Sequence, residues 1–182
     1  EKVSFSDELK RLTYLTNDYD MWQLKEEESQ ILNYIFWERK FNSFVTMFGK
    51  GYDESKINAF RPAFQKYQDG IKTHLDKCQQ YHFNLNDKKV MMIYTDKYIN
   101  EVSIQYKEFD FYFIISNMYK VSIRSKDADL TDRFKLIESR SEIESSGCHQ
   151  HAGGINLVKS AFENNEQVVD FYYDLIENIV GE

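Results

Sequence analysis

One rhythm runs unbroken through fifty residues, from Leu130 to Ile179. Read in alternating steps of four and three, it is Leu130, Phe134, Ile137, Ser141, Glu144, Cys148, His151, Ile155, Val158, Phe162, Asn165, Val169, Tyr172, Ile176 and Ile179. Residues at this spacing lie along one side of an α-helix and form a seam for other helices. At about 1.5 Å per residue such a helix spans roughly 75 Å. A rod that long constrains everything else, because the remaining chain must supply helices to cover its seam.

The preceding segments read the same way. A first helix is predicted from Phe5 to Phe48. Phe5, Leu9, Leu12, Tyr19 and Trp22 lie on one face, and Ile31, Tyr34, Ile35, Phe41, Val45 and Phe48 on another. The two halves are out of phase across Lys25–Ser29. A heptad stutter carries the helix through; a short loop is the other reading. Gly49 and Gly51 end it. A second helix starts after Asp53 as N-cap and carries Ile57, Phe60, Phe64, Tyr67, Ile71, His74, Cys78, Tyr81 and Leu85, with Pro62 allowing a kink or a later start. Asn84–Asp87 is a turn. The stretch from Asp87 to Arg124 lacks leucine and alanine and is rich in Ile, Val, Tyr and Phe, so propensity favours strands. Yet Met92, Thr95, Ile99, Val102, Tyr106, Phe109, Phe113, Ser116 and Ile123 keep a helical seam, and no glycine or proline marks a hairpin. It reads as the third helix, with Ser125–Asp129 as the turn into the fourth.

Four helices joined by short turns predict an all-α, antiparallel up-down-up-down four-helix bundle, a single domain over residues 1–182. The first and last helices outrun the middle pair by about 18 residues, or roughly 27 Å. That places Glu1 beside Glu182 on a projecting stem.

Charge and motif narrow the function. The net charge is −7 and the charges are interspersed, without the cationic stripe that nucleic acid requires. The longest apolar run, Phe111–Ile115, is too short to span a bilayer. No Gly-rich phosphate loop, nucleophile elbow, His-Glu-x-x-His or paired Glu-x-x-His motif is present. The expectation is therefore not an enzyme, with no cofactor. The histidines and cysteines fall in two sets: His74, Cys78 and His82, then Cys148, His149 and His151. Such ligands suit zinc, but the bundle's layers hold the sets apart, so packing is expected and no metal site. A break at Gly147 or Gly153-Gly154 would bring them together.

The lengths and seams resemble the extracytoplasmic four-helix sensor domains of bacterial chemoreceptors and sensor histidine kinases. Ile99–Ile115, with Tyr106 and Phe109 in its seam, is similar in flavour to their third helix. The resemblance implies a transmembrane signalling receptor tethered to the inner membrane through flanking segments. It also implies a periplasmic or extracellular location, a homodimer, and a small-molecule ligand whose capture shifts the last helix. Five arginines, Arg39, Arg61, Arg124, Arg133 and Arg140, fall in the distal half of the predicted bundle. Arg39 and Arg61 are level there, with Arg140 about one turn away beside the seam residues Ser141 and Glu144. Guanidinium forks bind carboxylates. Arg39, Arg61, Arg140, Ser141 and Glu144 are thus the expected ligand site for an amino or organic acid, unless these arginines merely pair with Glu38, Glu138 and Glu142. The alternative function is a soluble or lipid-anchored helical bundle acting as a protein–protein adaptor or immunity-type protein.

Overall fold

The structure, a computed structural model, describes residues 5–181. It overturns the all-α bundle: the chain carries six helices and one six-stranded mixed sheet among its described residues. The four-helix sensor resemblance and the receptor and helical-adaptor functions built on it fall with that architecture. The expected pairing of Glu1 with Glu182 lies outside the described residues. Among those residues, no helix is long and apolar enough to cross a membrane. The chain forms two compact units, residues 1–70 and 71–182.

The first unit is helical. The predicted first helix is two helices, α1 (Asp7–Asp20) and α2 (Glu27–Phe48). The out-of-phase join is a loop rather than a stutter. Trp22 and Leu24 turn the chain with φ of 56° and 50°. Asp18, almost fully buried, accepts from the Lys25 N–H at 3.1 Å, the Glu26 N–H at 3.2 Å and the Ser29 hydroxyl at 2.7 Å. A buried carboxylate is stable only when its oxygens are satisfied in this way. Gly51 follows α2 at φ 117°. The Asp53 side chain then caps α3 (Glu54–Leu75), accepting from the Ser55 N–H at 3.1 Å. Leu15, Ile31, Leu32, Ile35, Phe48, Ile57 and Phe64 close the core.

The second unit is built on the sheet. Its strands are β1 (Gln80–Leu85), β2 (Lys88–Tyr94), β3 (Phe111–Asn117), β4 (Lys120–Ser125), β5 (Ile143–His149) and β6 (Ala152–Leu157). They lie in the order β1-β2-β3-β4-β6-β5, with β2 and β3 parallel and the other neighbours antiparallel. The short helix α4 (Val102–Gln105) lies in the crossover between β2 and β3 and touches β3. Asn86 and Asp87, at φ 50° and 61°, form the β1–β2 hairpin turn. Both tolerate the left-handed region better than other non-glycine residues.

The segment read as helix three is therefore β2, α4, β3 and β4, and its strand propensity prevailed. Phe111–Ile115 is buried on both faces. No alternation survives in such a strand to announce it. The segment read as helix four is α5 (Leu130–Ile137), the β5–β6 hairpin and α6 (Asn165–Val180). Both helices pack on one face of the sheet. There Val90, Met92, Phe111, Phe113, Ile115, Val121, Ile123, Ile155 and Leu157 meet Leu130, Phe134 and Ile137 of α5 and Val168, Tyr172, Leu175 and Ile179 of α6. The opposite face is buried under β2 and β3 by a second apolar set that includes Met91, Ile93 and Ile114. Over β4, β6 and β5 that same face changes character.

Candidate functional site

The expected ligand residues divide between the two units. Arg39 and Arg61 belong to the helical unit. Arg39 is exposed, its guanidinium 5.1 Å from the centre of the Phe60 ring. Arg61 donates to Asn58 at 2.8 Å and pairs with Glu27 and Glu28. Arg140 and Ser141 lie in the loop before β5, and Glu144 within it. Ser141 and Glu144 are exposed, so neither is the polar core residue that a helical seam made of it. Arg140 pairs with Asp174 and with Glu142 at 3.3 Å, and lies 4.5 Å from the Phe171 ring centre. The Asp174 bond, chiefly, holds the Arg140 proton more firmly than usual. Beside it is an open hollow whose lining includes Glu142, Asp170 and Asp174 against that one cation. Three carboxylates around an engaged guanidinium repel an anion.

A second arrangement looks catalytic by residue type. Ser125, His151 and Asp129 gather at the end of β4. Ser125 Oγ lies 3.4 Å from His151 Nδ1, and that same nitrogen lies 3.2 Å from the Ala128 carbonyl. A carbonyl only accepts, so Nδ1 carries the proton and cannot take one from serine. The Ser125 hydroxyl itself donates to the Ala128 carbonyl. Asp129 caps α5 through the Thr131 N–H at 2.8 Å. These residues fasten a turn. Cys148 is part-buried, and burial pushes its thiol up, away from the reactive thiolate. Among the described residues no group of three or more His, Cys, Asp or Glu is placed to hold a metal ion.

The arrangement with an unfilled shape is the outer face of β4, β6 and β5. In the ladder, Ser122 stands opposite Gly154, and Gly154 opposite Gly147. Side chains alternate across a strand, and Val121, Ile123 and Ile155 point into the core. The row Ser122–Gly154–Gly147 therefore faces the other way. A Cβ added at Gly147 would meet nothing within 4 Å, and one at Gly154 only the Val121 carbonyl at 3.9 Å. The row is a floor three strands wide, with open space above its two glycines.

Two rows flank this floor, each about 7 Å away at ordinary strand rise. On one side stand Arg124, Ala152 and His149; on the other, Lys120, Asn156 and Ser145. Arg124 is only 9% exposed. It donates to the Ile123 carbonyl at 2.9 Å, the Gly153 carbonyl at 3.3 Å and Asn100 Oδ1 at 2.7 Å. Those bonds fix the guanidinium at the edge of the trough. Asn156 donates to Ser145 at 2.9 Å and ties the far wall together. The trough thus offers a flat floor, a fixed cation, a flexible one at Lys120, and hydroxyl, amide and imidazole groups around the rim.

Sequence reasoning missed this site because a continuous helix was drawn through it. Two signals were present. One was the small-residue run Ser145-Ser146-Gly147 with Gly153-Gly154; the other was the run Ser122-Ile123-Arg124-Ser125.

No family model matches this chain, and no curated protein sequence matches it. Among solved structures, the chain is similar to a DHH domain described as a member of a family of ribosomal proteins, at 13% identity and a TM-score of 0.44, covering 64% of this chain and 32% of that one. It is also similar to an uncharacterized protein from Helicobacter pylori G27, at 15% identity and a TM-score of 0.38, covering 92% of this chain and 59% of that one. The chain therefore spans about a third of the first structure and three fifths of the second. Likenesses at that level assign neither a family nor a function.

Proposed function

We propose that this chain binds a flat, anionic, nucleotide-sized molecule in the trough on the outer face of β4, β6 and β5. The observation that carries this reading is the floor Ser122–Gly154–Gly147, in which two adjacent strands present bare backbone with open space above the glycines and the third presents only a serine. A planar ring can lie against the backbone of Gly154 and Gly147, where a larger side chain would lift it off. Arg124 and Lys120, on opposite walls, supply charge for a phosphoryl group, and an arginine fork matches its oxygens. The rim groups can read the polar edge of a ring. A net charge of −7 favours one nucleotide over a long polyanion.

Calorimetric titration with adenosine 5′-monophosphate, adenosine and inorganic phosphate tests the reading. The monophosphate is expected to bind at least about tenfold tighter than either half alone, since floor and cation both contribute. Arg124→Lys is expected to weaken the monophosphate and leave adenosine unchanged. Equal affinity for all three, or no binding at millimolar concentration, would overturn it.

A further inference from the structure

The helical unit contains a cavity of about 350 Å³ with a different chemistry, and it is independent of the trough. Its lining combines Tyr19 and Asp20 from α1 with Asn33, Phe36, Trp37 and Phe44 from α2. No lysine, arginine or histidine lines it. The rings stand like the sides of a box. Phe36 lies 5.5 Å from Trp37 at 81° and 5.4 Å from Phe44 at 80°, ring centre to ring centre. Rings near right angles to one another line the same small volume.

We propose that this cavity binds a quaternary or methylated ammonium group. Aromatic faces carry the negative side of the ring quadrupole, which attracts a cation too bulky and too weakly hydrated to prefer water. Asp20 adds a full negative charge at the lining, and it makes no ion pair among the described residues. The volume lies within the range of small-molecule sites. Trp37 is 73% exposed, an unusual cost for a tryptophan unless something covers it. Just beyond it, Lys40 sits at φ 61° and ψ 164°, a conformation strained for any residue but glycine. That strain breaks α2 between Trp37 and Phe44, and so sets where the second half of the box stands.

Choline chloride and its neutral isostere 3,3-dimethyl-1-butanol separate charge from shape. The whole chain, titrated with each by NMR, is expected to bind choline at least about tenfold tighter, following the strength of cation–π contacts. Asp20→Asn and Trp37→Ala are each expected to lower choline affinity by about fivefold or more, while thermal melts confirm that both exposed-site variants stay folded. Phosphatidylcholine vesicles form a second arm. Co-sedimentation that choline reverses assigns the ammonium to a lipid headgroup, and choline binding without vesicle binding assigns it to a free solute. Equal affinity for the two isosteres, no binding of choline or vesicles, or an Asp20→Asn variant indistinguishable from the parent would overturn the proposal.

Discussion

Gly153 and Gly154 are chain neighbours on β6, and they do opposite things. A Cβ on Gly153 would sit 2.2 Å from the Phe134 ring; one on Gly154 would meet only a carbonyl at 3.9 Å. The first glycine is small because the core face is full, the second because the outer face is left open. On the core face every strand presents apolar side chains to α5 and α6. On the outer face of β4, β6 and β5, hydrogen-bonding groups ring a floor of one serine and two glycines. Stability requires only the first. An open row of one serine and two glycines adds little to folding, and that contrast is the reason to assign it a ligand.

Three changes probe the contrast, from the largest effect down. Phe134→Ala is expected to cost about 3–5 kcal/mol, because it empties the buried ring position beneath Gly153. Denaturant unfolding measures it, and a cost below about 1 kcal/mol would break the claim that this face is filled. Gly153→Ala is expected to cost about 1–3 kcal/mol through overpacking, whereas Gly154→Ala should stay within about 0.5 kcal/mol. Equal penalties at the two positions would erase the distinction between the faces. The smallest effect is with pH. Burial, more than the nearby Glu108, pushes the Tyr112 hydroxyl up to about 12. A raised phenol stabilises the fold fully below its unfolded value near 10. That contribution is lost as pH rises through about 12. Melts between pH 9 and 12 should fall more steeply for the parent than for Tyr112→Phe, and parallel curves would refute the assignment.

Much of the helical content was legible. The spacing of Leu130, Phe134 and Ile137 and of Tyr172, Ile176 and Ile179 marks two real helices with those residues buried. Asp53 as a cap also stands in the structure, while the turn expected over Asn84–Asp87 narrows to Asn86 and Asp87, since Asn84 and Leu85 are paired in β1. The error lay in linking the two helices. Between them the four-three pattern runs through Ser141, Glu144, Cys148 and His151, mostly polar, while Gly153, Ile155 and Leu157 alternate with period two. Several glycines in a helix interior each cost up to about 1 kcal/mol, and that cost outweighs an apolar rhythm sustained by chance. Asp87–Arg124 failed for another reason. Strands buried on both faces show no alternation, and the hairpin at Asn117–Lys120 turns without glycine or proline. Here β-branched and aromatic content was the better guide. The site was illegible because it is made of what is missing. Gly147, Gly154 and Ser122 become a floor only once the register of three strands is known. The expected arginines are engaged locally: Arg39 lies over the Phe60 ring, Arg61 pairs with Glu27, and Arg140 with Asp174.

The most direct measurement fills the floor. Gly154→Leu places a side chain where the structure holds open space, without touching Arg124 or the core. The account predicts that this variant melts like the parent and loses adenosine 5′-monophosphate binding by at least about tenfold. A folded Gly154→Leu protein that still binds the nucleotide with the parent's affinity would contradict it.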